Sequence, residues 1–154
     1  MTELTIRDAQ RADVPTIVAL LADDGLGSAR ESVDGPVPNS YYMAFDSIAN
    51  TTLIRLLLAE LDGEIIGCMQ LNLIPHISMK GGTRAQLQSM RIRSDRRGQG
   101  LGGIFVRQAM DLARNAGCVQ MELTTHNSRS DAHLFYKRLG FQATHQGMKI
   151  RLDQ

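Results

Sequence analysis

Residues Arg84–Gly103, RAQLQSMRIRSDRRGQGLGG, hold the reading on which the rest of the chain depends. The first half is a strand that changes phase: Ala85 and Leu87 put apolar groups on odd positions, Met90 and Ile92 on even ones. Strand side chains alternate faces, so one slip sends every later side chain to the other side of the sheet unless a residue has been inserted. A single extra residue at Gln88 or Ser89, a β-bulge, keeps all four on one face, and bulges end pairing and re-aim backbone groups beside active sites. An exposed, irregular strand is the competing reading. The second half sets Gly98, Gly100, Gly102 and Gly103 at the start of a helix-periodic run, with Arg96 and Arg97 beside them. Unpaired amides at a helix start, with the positive end of the helix dipole, make a site for phosphate oxygens, and glycines let the anion approach the backbone. A plain turn with solubilising arginines is the alternative.

Downstream, Leu101, Ile104, Phe105, Ala109, Leu112, Ala113 and Ala116 mark one helix face that Gly117 ends. Val119, Met121 and Leu123 alternate with Gln120, Glu122 and Thr124 as a strand, and Ser128 with Asp131 reads as a capping box for a helix reaching Leu139. Met148, Ile150 and Leu152 predict a final strand. Upstream, Leu53–Leu61 is an apolar run suited to a strand buried on both faces. Asp62-Gly63 favours a type I′ hairpin into a second arm that ends near Leu73, and the loop PHISMKGG (75–82) leads back to the quoted stretch. Residues 3 to 7 read as a strand, Ala12–Ala22 as a helix with Pro15 in its first turn, and Tyr41–Ile48 as a second helix; Asp23–Asn39 has no period.

At 154 residues and 43% hydrophobic content, the chain is expected to form one domain over 1–154. Seventeen Lys plus Arg against sixteen Asp plus Glu leave a net charge of +1, which provides no broad field for nucleic acid or membrane surfaces, so neither is expected as a partner. The two cysteines, Cys68 and Cys118, lie in no CxxC pair or His cluster; no disulfide and no metal site is expected. The opening MTELTIRDAQ has no apolar leader core and no later stretch approaches the ~20 apolar residues of a membrane span, so a cytoplasmic protein is expected.

Two phosphate motifs overlap in the glycine-rich turn. Gly98, Gly100 and Gly103 satisfy G-x-G-x-x-G, with Glu122 near the acidic position of a dinucleotide site. Against it, five polar residues, Arg93–Arg97, separate the strand from the first glycine, and only 51 residues follow Gly103. The other motif is R-x-x-G-x-G, at Arg97, Gly100 and Gly102. With the bulged strand before it, and Asn127, Tyr136 and Gly140-Phe141 after it, the chain resembles the GCN5-related N-acetyltransferase (GNAT) family.

The resemblance implies an α+β fold: a mixed, mostly antiparallel sheet of six to seven strands flanked by four helices, with the bulged strand splayed at a coenzyme A site. It implies acetyl-CoA as cosubstrate, held by Met90, Arg91 and Ile92 along the pantetheine arm, by Arg97, Gly98, Gln99, Gly100, Leu101, Gly102 and Gly103 at the pyrophosphate, and by Asn127 and Tyr136. The Tyr136 hydroxyl would protonate the departing thiolate, although its spacing alone equally predicts a buried structural tyrosine. Acetyl transfer to an amine would be direct, with no acyl-enzyme.

Related enzymes often carry a Glu on the bulged strand as base; Gln88 stands there, and a glutamine can orient a water but cannot take its proton. His76, Glu122, His126 and His133 are other candidates, each with a solvated or structural role as its alternative. Acceptor selectivity is expected in Asp23–Tyr42 and 75–82: Asp23, Asp24 and Glu31 offer carboxylates to a cation, and Tyr41 and Tyr42 a wall. R-x-D-A-H-x-F-Y, Arg129–Tyr136, with His145, is similar to the small-molecule branch that includes aminoalkylphosphonate acetyltransferases, which leans towards a small amine. A homodimer is compatible with the family. The competing functions are a non-catalytic acyl-CoA-binding module, from Gln88, and a dinucleotide-dependent oxidoreductase, from the overlapping glycines.

Overall fold

The computed structural model describes residues 3–154. In chain order the elements are β1 (Thr5–Asp8), a 3-10 turn (Arg11–Asp13), α1 (Val14–Ala22), α2 (Gly27–Arg30), α3 (Asn39–Ala49), β2 (Ile54–Leu61) and β3 (Glu64–Ile74). They continue with α4 (Ser78–Gly81), β4 (Thr83–Ile92), a second 3-10 turn (Ser94–Arg96), α5 (Leu101–Asn115), β5 (Cys118–Leu123) and α6 (Ser130–Arg138). The strands form one sheet in the order β1-β2-β3-β4-β5, antiparallel except for the parallel β4–β5 pair. This is the expected α+β class.

Asp62 and Gly63 both have positive φ, 53° and 78°, as a type I′ turn requires, and so β2 and β3 pair as a tight hairpin. Both faces of β2 are covered, as its apolar run predicts. Leu57, Ala59 and Leu61 join a large cluster with Phe105, Val106 and Ala109 of α5, while Leu58 packs against Ile17 and Leu20 of α1. A smaller group, Val14, Val18 and Phe45, ties α1 to α3. Phe105 and Val106 are fully buried, each contributing on the order of 1.5–3 kcal/mol of transfer free energy. The sheet is therefore the middle of three layers, with α5 and α6 on one side and α1 and α3 on the other.

Three expectations are corrected. Met148, Ile150 and Leu152 form no strand, and the sheet has five strands where six to seven were expected: a strand needs a ladder partner, and the segment has none among the described residues. Helices number six among the described residues, where four were expected, because two short ones were illegible. α2 forms where the sequence has no period, its first amide capped by the Asp24 carboxylate. α4 is a turn in substance, Met79 and Lys80 both being left-handed. Finally, Ser128 does not cap the last helix, which starts at Ser130; its hydroxyl donates to Nδ1 of His126 at 2.7 Å instead.

Candidate active site

The bulge lies at Ser89. Between the pairs Cys68–Arg91 and Gln70–Gln88, β3 advances two residues and β4 three, and Ser89 takes up the extra one at φ 53°. The inserted residue keeps Ala85, Leu87 and Ile92 in one buried cluster with Met90 packed against it, as the phase slip requires. Glycine at position 67 makes this fit: a Cβ there would stand 2.7 Å from the Arg91 carbonyl oxygen. On its other edge β4 pairs with β5 only from Thr83–Cys118 to Leu87–Leu123. The stretch Gln88–Ile92 thus has no β5 partner, and its outer backbone groups face the gap in front of α5 and α6.

The glycine-rich turn closes one end of that gap. Gly98 and Gly100 have φ of 76° and 79°, a left-handed conformation that costs other residues about 1–2 kcal/mol each. A Cβ at either would meet nothing within 4 Å, so the space over the turn is open. Gly100 is the N-cap of α5, which leaves the amides of its first turn without carbonyl partners and the dipole's positive end exposed. Open space, left-handed glycines and free amides together suit an anion such as a pyrophosphate. Gly102 serves packing instead, because a Cβ there would stand 3.3 Å from the side chains of both Met90 and Phe135. The Arg97 guanidinium donates from Nε to the Ile92 carbonyl at 2.9 Å and to the Asp23 carbonyl, anchoring the turn to the end of β4. Gln99 and Leu101 complete the turn, Gln99 donating to the Asp95 carbonyl at 3.4 Å.

Tyr136 lies on the same side. Its ring packs edge-on to Phe135 and Phe141, at centroid distances of 4.9 and 5.6 Å. Burial pushes its hydroxyl above the ordinary tyrosine range, against the pull of the Arg91 and Arg129 charges. A neutral hydroxyl held near two cations can donate a proton to a developing thiolate. Asn127 lies on the exposed loop between β5 and α6.

Asp24 draws three segments together. Its carboxylate accepts the Gly27 amide, contacts Arg129 Nη2 at 2.9 Å and forms an ion pair with Arg91 Nε at 3.0 Å whose angle falls outside hydrogen-bond geometry. Burial works to raise this carboxyl, but the Gly27 amide and the two arginines outweigh it and hold it below the usual range. Asp23 accepts the Ser94 amide at 2.7 Å, and Glu31 accepts the Tyr41 hydroxyl at 2.8 Å. All three carboxylates suggested for a cationic acceptor are therefore engaged within the chain. Tyr42 lies under the Arg11 guanidinium at 4.6 Å.

On the face of β3 and β4 turned away from α5, opposite Leu71, Ala85 and Leu87, the sheet carries amides in a row. Gln70 donates to Asn72 at 2.9 Å, and Asn72 donates to the side-chain oxygens of Gln86 and Gln88 at 3.1 and 3.3 Å. Glu122 lies in register with Gln86 on the neighbouring strand. The histidines are elsewhere engaged: His76 donates to the Ile74 carbonyl at 2.8 Å and His133 to that of His126 at 3.1 Å. The Cys68 thiol is buried and pushed up to about 12, too high for a nucleophilic thiolate. Sequence reasoning missed the Asp24–Arg91–Arg129 cluster and the Gln70–Asn72–Gln86 row. The even-numbered polar residues on β3 and β4 were a legible signal for the row, whereas contacts made 105 residues apart leave no local trace.

The family model described as the acetyltransferase (GNAT) family matches residues 26–141. The aminoalkylphosphonate N-acetyltransferase of Salmonella typhimurium is 32% identical over 108 residues, 68% of this chain and 70% of that protein. The crystal structure of a transcriptional regulator from Bacillus halodurans superposes with a TM-score of 0.93 at 39% identity, covering 97% of this chain and 100% of that one. An aminoglycoside N-acetyltransferase in complex with CoA shares the fold, with a TM-score of 0.77 at 16% identity over 100% of this chain and 97% of that one. The chain thus belongs to the acetyltransferase (GNAT) family, and the protein is an acyltransferase with acetyl-CoA as its cosubstrate.

Proposed function

We propose that the protein transfers the acetyl group of acetyl-CoA to the primary amine of a small molecule, as one domain spanning 1–154 in the cytoplasm. The observation that carries this reading is the convergence of two backbone irregularities: the bulge at Ser89, which frees the outer edge of Gln88–Ile92, and the left-handed Gly98 and Gly100 at the start of α5. The amides of Gly98–Gly103 hold the pyrophosphate and Arg97 adds positive charge while fixing the turn. Met90, Arg91 and Ile92 pair with the amide groups of the pantetheine arm as an added strand would, and Asn127 contacts the arm from the other side.

The neutral amine attacks the thioester carbonyl carbon and the carbonyl electron pair moves onto oxygen, where an amide near Met90 stabilises it. The nitrogen loses its proton to a water oriented by Gln88. Collapse breaks the C–S bond, and the leaving thiolate takes a proton from the Tyr136 hydroxyl, which solvent then restores. The amide row on β3 and β4 offers neutral hydrogen bonds to an acceptor, and the similarity to an aminoalkylphosphonate enzyme favours small amines.

A panel of small primary amines, aminoalkylphosphonates included, incubated with acetyl-CoA and read by free-thiol release tests the proposal; at least one amine is expected to release thiol well above the rate of hydrolysis. A second reading, a non-catalytic acyl-CoA-binding module, is favoured by Gln88 at the expected place of a carboxylate. Thermal stabilisation by acetyl-CoA with no thiol release from any amine would select it, and no stabilisation at millimolar acetyl-CoA would remove both.

A further inference from the structure

Arg91 and Arg129 form a cationic pair that the chain only half neutralises. Both lean on the single carboxylate of Asp24, Arg91 through Nε at 3.0 Å and Arg129 through Nη2 at 2.9 Å. Arg30, whose charge also reaches Arg91, is matched by Glu31 at 3.0 Å. Three cations thus meet two carboxylates, and one positive charge is left over in this group. Water does not absorb the excess freely, because the Arg91 and Arg129 side chains are largely buried. Burial holds Arg91 below the ordinary guanidinium range against the pull of Asp24, and Arg129 lowers it further. An uncompensated charge withdrawn from water is a standing cost, and such costs gather at binding sites.

The donors leave room for a second anion. Arg91 donates from Nη1 to the Met90 carbonyl at 2.9 Å, and its buried Nε has no hydrogen-bond partner. Arg129 donates from Nη2 to Asp24. Among the described residues, Nη2 of Arg91 and Nε and Nη1 of Arg129 have no acceptor, and none of these three is sealed from solvent. Guanidinium forks of this kind suit carboxylate and phosphonate oxygens. The pair also lies where an acceptor must come. Arg91 is in register with Cys68, Gln88 with Gln70 and Gln86 with Asn72, so the arginine shares the sheet face of the amide row. Its backbone faces the gap while its side chain leaves on the α1 side, and both guanidiniums act on the Tyr136 hydroxyl. An acid group held there keeps an amine a few bonds away beside the thioester.

We propose that Arg91 and Arg129 hold an oxyanion of the acceptor, so that the preferred substrate is a short primary amine that also carries a carboxylate or a phosphonate. Asp24 positions the two guanidiniums without neutralising both. A purely cationic acceptor would meet the wrong sign of charge, since Asp23, Asp24 and Glu31 are engaged within the chain. The inference rests on the acetyl-transfer reading given above and adds to it the class of amine.

Thiol release is measured with two matched pairs of amines, β-alanine against its amide and 2-aminoethylphosphonate against its diethyl ester. A hydrogen bond to a charged group is worth about tenfold or more, so in at least one pair the acid should exceed its neutral partner about 30-fold or more in kcat/KM. Which pair does so tells carboxylate from phosphonate. In Arg129→Gln that ratio should fall to about threefold or less, through KM, while Arg129→Lys keeps part of it and acetyl-CoA still stabilises both variants. An Arg129 that only braces the fold would lower Tm and leave the ratio alone. Should the variants fail to fold, the wild-type ratios decide, together with competitive inhibition by propylphosphonate and propionate. Equal rates within both pairs, an unchanged ratio in Arg129→Gln, or lost acetyl-CoA binding in place of lost acid preference would each overturn the proposal. If acetyl-CoA stabilises the protein but no amine is turned over, acetyl transfer fails by itself. Calorimetric titration of the two acids into the coenzyme A complex then decides: binding that Arg129→Gln abolishes upholds the anion site, and no binding overturns it.

Discussion

Asp24→Asn removes one negative charge from between Arg91 and Arg129 while leaving an oxygen to accept the Gly27 amide. The side chains of Asp24, Arg91 and Arg129 are 16%, 12% and 28% exposed. Breaking a fully buried pair costs about 3–5 kcal/mol and an exposed one about 0–1 kcal/mol. Largely buried guanidiniums with some solvent access place this change at about 2 kcal/mol, hence a Tm lower by about 4–8 °C in a chain of this size. The pH dependence has a definite sign. The Asp24 carboxyl is held below its ordinary value, so its contribution is complete above the unfolded pKa of about 3.9 and is lost as pH falls through the folded value. The gap between wild type and variant, followed by differential scanning calorimetry, should be constant above about pH 5 and shrink below about pH 4. A Tm change under about 1 °C at pH 7, or a gap that widens in acid, would refute the reasoning.

Gly100→Ala places a Cβ at φ 79° with open space around it, so its cost is backbone strain of about 1–2 kcal/mol; acetyl-CoA affinity by calorimetric titration should fall at least tenfold, and wild-type affinity would remove the turn from the binding site. In Gly67→Ala the new Cβ meets the Arg91 carbonyl at 2.7 Å, and since backbone cannot step aside cheaply, urea unfolding should show a loss of about 1–3 kcal/mol; a neutral result would mean that the bulge tolerates displacement. Tyr136→Phe keeps the edge-on packing with Phe135 and Phe141, so stability should hold while kcat drops about a hundredfold with little change in the KM for acetyl-CoA. A kcat within twofold of wild type would exclude the hydroxyl as proton donor.

The features nearest the chemistry were legible because each is a local violation of a local rule. The phase slip between Leu87 and Met90 located the bulge, and glycines crowded at the start of an apolar-periodic run located the turn. Asp62-Gly63 fixed the hairpin for the same reason, since a type I′ turn selects its own residues. What failed were inferences needing knowledge of a partner. Met148, Ile150 and Leu152 have the alternation of a strand, but alternation names a face and not the strand that pairs with it. Ser128 had the residue type of a cap, and a nearby histidine claimed its hydroxyl. Asp24 offered a free carboxylate on paper, and only the fold brings Arg91 and Arg129 to it.

The two-sided burial of the sheet has a consequence for how such an enzyme changes its clientele. Met90 and Leu101 pack on the cluster around Phe105, whereas α1 and α3 rest on the separate groups around Ile17 and Val14. Replacing α3, Asn39–Ala49, therefore repacks the group around Val14 while Asp23 and Asp24 keep their ties to Arg97, Arg91 and Arg129, so that under the proposed function a lineage could vary that layer with its donor chemistry inherited intact.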